Sequence, residues 1–157
     1  MKIILLVFGK TTHKELLLLE QEYLQKVSKY ADTELDILKV PSGHMQLSIT
    51  EQIRNEARYF ESRLKQGDFI VVLDEKGKTM TSVMFASFME KNQALSHKRM
   101  VFIIGGPYGV SDDLKKKAQM LLSLSAMTFT HEMSRVFLLE QLYRAYNIIN
   151  HSPYHHI

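Results

Sequence analysis

Three stretches of this 157-residue chain hold residue types whose spacing suits chemistry at a pocket. The first is Gly105-Gly106-Pro107-Tyr108-Gly109, entered directly from the apolar run Val101 to Ile104. Glycine has no Cβ and takes positive φ freely, so a ligand can approach its backbone closely. In open α/β sheets ligands lie in crevices at the carboxyl ends of strands. The plainer reading is a tight strand-to-helix turn without a ligand. The second is Leu73-Asp74-Glu75-Lys76-Gly77-Lys78, another apolar strand running into a charged turn. The third is the tail, His151-Ser152-Pro153-Tyr154-His155-His156-Ile157, with a ring that can stack and imidazoles that titrate near neutral pH. His151 and His155 are four apart, but Pro153 between them opposes the helix that would align them, so no metal site is expected.

Several chemistries are excluded. There is no cysteine, hence no disulfide framework, thiolate nucleophile or thiolate metal site. The glycine loop is not a G-x-G-x-x-G fingerprint and follows the fourth strand, which argues against a dinucleotide site. No G-x-x-x-x-G-K-[ST] phosphate loop occurs. The net charge of +3 is compatible with a polyanionic partner without demanding one. Ile3 to Phe8 is too short for a signal-peptide core, and no run approaches the ~20 residues of a membrane span. A cytoplasmic protein is expected.

The elements that must position these residues alternate. A strand is expected over Lys2–Phe8, then a helix over about His13–Tyr30 capped by Thr11 or Thr12. A strand over Glu34–Val40 leads into a long polar loop, Ser42–Ser48, of the kind that is mobile. A helix over Thr50–Gln66 stops at Gly67. The strand Phe69–Leu73, the helix Ser82–Leu95 and the strand Met100–Ile104 follow. Ser111 caps a short helix ending near Met120, Leu122–Phe129 reads as a strand or extended segment, and the last helix runs over Met133–Asn150. Strict alternation predicts a single α/β domain over residues 1–157, a parallel sheet with helices on both faces.

The last helix is apolar round most of its girth, with a polar stripe of Glu140, Arg144 and Asn147 beside Gln141. Such a helix is buried on more than one side. A homodimer with this helix at an isologous interface accounts for it; burial within one chain is the alternative.

Together the motifs resemble one family. Leu-Asp-x-x-Gly-Lys at Leu73 to Lys78 and Phe-Ile-Ile-Gly-Gly-Pro-Tyr-Gly at Phe102 to Gly109 come first. Leu-Ser-Leu-Ser-Ala-Met-Thr-Phe-Thr-His at Leu122 to His131 and Arg-Val-x-Leu-x-Glu-Gln-Leu-Tyr-Arg-Ala at Arg135 to Ala145 follow, and Pro-Tyr-His at Pro153 to His155 closes the set. The set spans the chain and is similar to the ribosomal RNA large subunit methyltransferase H family, of the SPOUT class. The resemblance implies a carboxyl-terminal trefoil knot, although topology rules disfavour knots. It implies a homodimer and transfer of a methyl from S-adenosylmethionine to N3 of a pseudouridine in large-subunit ribosomal RNA, on the assembled ribosome. It places the cofactor on Leu73, Gly105 and the segment Leu124, Ser125, Ala126, Met127, Thr128 and Phe129; plain core packing is the alternative for Leu73 and Phe129.

A sulfonium methyl is already activated, so positioning carries most of the catalysis and no metal is needed. The acceptor N3–H must be lost, which calls for a base or a partner for the anion. His131, Glu140 and Tyr143 are the expected candidates, with Arg135 and Arg144 as anion partners. His131 can equally cap or pack there, and Glu140 and Arg144 can be an exposed i,i+4 pair. By resemblance the tail closes over the site, so Tyr154 and His155 are expected to contact the nucleotide. Many relatives carry Arg or Lys where this chain has His156, which weakens an anion contact there. Lys76, Lys78, Lys98, Arg99 and Lys115 to Lys117 are candidates for RNA phosphates. A protein that binds S-adenosylmethionine or the ribosome without transfer is the alternative function.

Overall fold

A computed structural model describes residues 1–95 and 97–152. Five strands form one sheet: β1 (Lys2–Phe8), β2 (Thr33–Leu38), β3 (Phe69–Thr79), β4 (Arg99–Ile104) and β5 (Met120–Ser123). Their order is β2-β1-β4-β3-β5 and every pairing is parallel. The helices are α1 (Lys14–Ser28), α2 (Ile49–Glu61), α3 (Ser82–Ala94), α4 (Asp112–Lys117) and α5 (His131–Ile149).

The strand period of two sorts each central strand between two cores. Ile3, Leu5 and Val7 of β1, with Met100, Phe102 and Ile104 of β4, face α1, α3 and α5. Ile4, Leu6 and Phe8, with Val101 and Ile103, face Phe60 of α2 and Leu114 of α4. Strands covered on both faces read as continuous apolar runs, which is why β1 and β4 are so plain in the sequence. Helices lie on both faces, as the alternation predicts.

Several boundaries differ from the sequence reading, each for a tertiary reason. Neither Thr11 nor Thr12 caps α1; the N-cap is His13, which makes no side-chain cap bond. The Thr11 hydroxyl donates to the buried Glu20 carboxylate at 2.6 Å, and Thr12 is held by Glu132, 120 residues away. Those carboxylates claim hydroxyls that would otherwise cap locally. α2 stops at Glu61, and Gly67 instead serves a turn at φ +86°.

β3 does not stop at Leu73. It continues to Thr79, and Leu122 of β5 pairs with both Leu73 and Lys78, so the intervening residues bulge out. Gly77 permits this: a Cβ there would lie 2.7 Å from the backbone of Leu121. α4 ends at Lys117 and only Met120–Ser123 is strand, while 124–130 is irregular. Gln119 starts that strand by exchanging hydrogen bonds with Ile70 of β3.

The Ser42–Ser48 loop is largely exposed but anchored at His44. Its centre is a 3-10 turn that buries His44 against the Phe8 ring, centroids 4.9 Å apart. Asn147 of the polar stripe is likewise buried, and its side-chain amide donates to the Tyr143 carbonyl. α5 buries Leu138, Leu139, Leu142, Ala145 and Tyr146 in the core it shares with α1 and α3. Girth alone therefore does not require a second chain. Among the described residues no helix is long and apolar enough to cross a membrane.

Candidate functional site

A cleft of about 750 Å³ opens at the carboxyl ends of β3, β4 and β5, against the start of α5 and the loop after β1. Parallel strands end together, so three motifs far apart in the chain meet there. Its floor is the glycine loop. The Gly109 amide donates to the Gly106 carbonyl at 3.0 Å across Pro107 and Tyr108, with Gly109 at φ +81°. A Cβ on Gly105 would lie 2.5 Å from the Gly109 carbonyl oxygen, so no larger residue fits without opening the loop.

The loop is fastened from behind. The Gly106 amide donates to Glu56 Oε2 at 3.1 Å, and Glu56 Oε1 pairs with His44 Nε2 at 3.1 Å. Glu56 is buried, which pushes its carboxyl above the usual range against the opposing pull of Gly106 and His44. Nothing in the local sequence announces this pair; it exists because α2 and the 42–48 loop cover the same sheet face.

The β3 wall carries Asp74, bound to Lys115 at 2.6 Å. Burial alone would raise its carboxyl, but Lys115 and the Lys76 amide outweigh it and hold it below the usual range. Glu75 accepts from the Thr128 hydroxyl at 2.8 Å and so ties the 124–130 segment to β3. That segment is turned by Ser125, whose hydroxyl accepts from the Met127 amide at 2.9 Å. Leu73, Gly105, Leu124, Ser125, Met127, Thr128, Phe129 and His131 line the cleft; exposed Ala126 sits between two of them without lining it.

At the start of α5, Thr130 caps the helix by accepting from the Met133 amide. His131 is half-buried. Burial, then the nearby Arg135 charge, push its imidazole below the usual range despite Glu132. Glu132 accepts from the Thr12 amide (2.9 Å), the Thr12 hydroxyl (2.8 Å) and the His13 amide (3.2 Å), and it pairs with His13 Nδ1 (2.8 Å). Burial would raise its carboxyl, yet these bonds pull it down to about 2.

The remaining expected residues lie elsewhere. Arg135 is fully buried and donates to the Thr11 hydroxyl (3.1 Å) and the Phe8 carbonyl (2.9 Å). It braces α5 against the end of β1 and does not reach the cleft as an anion partner. Glu140 pairs with Arg144, and Tyr143 packs beside the Tyr23 and Tyr30 rings. Glu140 lies about 13 Å along α5 from His131, and neither it nor Tyr143 lines the cleft. Tyr154, His155 and His156 lie outside the described residues. His151 adopts φ 52° and ends α5 in a Schellman motif, with the Ser152 amide donating to the Asn147 carbonyl at 2.8 Å.

The basic residues expected on phosphates are partly occupied. Lys115, Lys116, Lys117 and Arg99 pair with Asp74, Asp113, Glu61 and Asp68, while Lys76, Lys78 and Lys98 are exposed. Among the described residues no group of three or more His, Asp or Glu side chains is arranged to hold a metal. Thr12, His13 and Glu132 also line the cleft and were not legible from the sequence. An acidic residue in the first turn of a helix is the only local signal any of them carries.

Comparison with known proteins agrees with the motifs. The family described as "Predicted SPOUT methyltransferase" matches residues 1–155. The "Ribosomal RNA large subunit methyltransferase H" of Porphyromonas gingivalis (strain W83) is 42% identical over 156 residues, covering 99% of each chain. The protein of the same description from Bacteroides thetaiotaomicron is 38% identical over the same span. A solved SpoU methyltransferase, AviRb from Streptomyces viridochromogenes in complex with AdoMet, superposes with TM-score 0.44 at 12% identity, over 90% of this chain and 56% of that one. On the family match and the full-length relatives, this chain belongs to the ribosomal RNA large subunit methyltransferase H family of SPOUT methyltransferases.

Proposed function

We propose that this protein methylates N3 of a pseudouridine in large-subunit ribosomal RNA, acting on the assembled ribosome. One observation carries the reading. The segments at 73–76, 105–109 and 124–131, separate in sequence, wall one cleft in a chain whose full-length relatives are named for this ribosomal RNA. S-adenosylmethionine, the methyl donor of SPOUT enzymes, supplies a methyl activated on a sulfonium.

The residues present fit that donor. Gly105 closes a backbone cradle that any Cβ would fill, and Leu73 with the 124–129 segment offers backbone groups and apolar surface around it. Ser125 and Glu75 fasten that segment, so the wall is shaped before anything binds. His131, whose imidazole burial and Arg135 push below its usual range, presents a ring that can hydrogen-bond a pyrimidine edge. Tyr154 and His155 contact the nucleotide in this reading.

A homodimer belongs to the same reading. Met127 is 75% exposed and Phe129 is 38% exposed beside Phe137, large apolar surface at the cleft mouth that a second protomer would cover. Glu140 and Tyr143 would act only across that boundary. A trefoil knot in the carboxyl half is proposed on the family membership together with the strand order β4-β3-β5. Pulling one unfolded chain from both ends would leave it shorter than its contour if the knot is there. The location proposed is cytoplasmic, with the ribosome.

The test is methyl transfer from labelled S-adenosylmethionine to assembled ribosomes of a strain lacking this gene, with free ribosomal RNA in parallel. Label at a large-subunit pseudouridine, in ribosomes alone, is the expected result. Donor binding without label in either sample would make the protein a binding factor. A chain truncated after Asn150 should bind donor and transfer nothing.

A further inference from the structure

His13 is the N-cap residue of α1, yet its side chain makes no cap bond. Its ring is 72% exposed and lines the cleft, facing the same space as the glycine loop and His131. Its Nδ1 lies 2.8 Å from Glu132 Oε2. An ionised carboxylate only accepts, so Nδ1 carries the hydrogen and Nε2 keeps its lone pair. Glu132 is 5% exposed and held by three further hydrogen bonds, two from backbone amides, so the ring's orientation is built into the fold. A buried carboxylate fixing one imidazole nitrogen while the other faces substrate is the arrangement by which proteins turn histidine into a positioned base.

We propose that His13, oriented by Glu132, is the base that takes the N3 proton of the acceptor nucleotide. The role rests on the function proposed above. The N3–H bond breaks and its proton goes to Nε2 of His13. The N3 electron pair forms the new N–CH3 bond. The electrons of the broken C–S bond return to sulfur, which leaves as a neutral thioether. One positive charge passes from sulfonium to imidazolium, where Glu132 faces it.

The other titratable groups of the cleft suit the step less well. Asp74 is committed to Lys115 and Glu75 to Thr128; Lys76 and Lys115 are cations, and Tyr108 lies on the glycine loop. His131 is the rival. Arg135 stands near it, and burial further disfavours the charge it would gain. His131 therefore binds the base in this scheme and His13 removes the proton.

The experiment compares wild type, His13→Ala and Glu132→Gln in donor affinity, ribosome methylation against pH, and ring nitrogen NMR of the donor-free protein. His13→Ala should lose about 10²- to 10⁴-fold in kcat. It should keep donor affinity within about twofold, and added imidazole should restore part of the rate. In wild type the neutral ring should carry its proton on Nδ1, and its titration should share a midpoint with the ascending limb of the pH profile. Glu132→Gln should scramble the tautomer and slow transfer without abolishing donor binding. A neutral ring protonated on Nε2, a His13→Ala enzyme of wild-type rate, or a loss that imidazole does not touch and that leaves the pH limb unmoved would each overturn the role. Absence of transfer by wild type would instead overturn the function, whatever the NMR shows.

Discussion

Glu132→Gln removes one charge and almost no volume from the joint between α5 and the loop after β1. The carboxyl drops from its ordinary 4.5 to about 2 because bonds from His13 and Thr12 more than reverse the effect of burial. That drop corresponds to about 3 kcal/mol of preference for the charged form in the folded protein. The His13 ring is largely in water, so screening cuts the figure to about 2 kcal/mol. The sign follows from linkage. A folded-state value below the unfolded one gives stability that is complete above pH 4.5 and disappears as pH falls toward 2. The assay is urea unfolding of both proteins at pH 7, 5 and 3, at one fixed protomer concentration. The variant should be less stable by about 2 kcal/mol at pH 7, with the gap little changed at pH 5 and under half as large at pH 3. A gap of equal size at pH 3 and pH 7 would refute the reasoning, because the loss would then come from shape and not from charge.

Three further outcomes follow from the same geometry. Gly105→Ala places a Cβ 2.5 Å from the Gly109 carbonyl oxygen, so calorimetry should show at least a roughly tenfold loss of donor affinity, with about 1–3 kcal/mol of stability gone. Glu56→Ala leaves the Gly106 amide and His44 without their acceptor and should cost about 2–3 kcal/mol in thermal unfolding, Glu56→Gln distinctly less. His151→Gly relieves a left-handed residue at the end of α5 and should stabilise by about 0.5–1 kcal/mol in the same assay, the gain being limited by glycine's greater freedom when unfolded.

How much of this was legible depended on the range of the interaction. Alternating apolar runs and helical spacings are local, so β1, β4, the five helices and the two-faced parallel sheet could be read directly. Ser111 was legible as a cap because a cap reaches only three residues. β5 was blurred because its strand character comes from pairing with β3 and not from its own pattern. The second half of β3 looked like a charged turn, since a bulged strand carries polar residues at its exposed bend. Arg135 was misplaced because a cation on an amphipathic helix normally faces water. Here the Thr11 hydroxyl and the Phe8 carbonyl satisfy it inside.

The glycine loop, the four other motifs and their order along the chain were determined by the sequence alone, and with them the family and the class of donor. Only the tertiary structure decided which side chains share the cleft. His13 and Glu132 are 119 residues apart, Gly106 and Glu56 are 50 apart, and no local pattern codes for either meeting. Parallel strands bring their carboxyl ends to one edge whatever the separation between them, so the chemistry of that edge is set by the order of strands in the sheet.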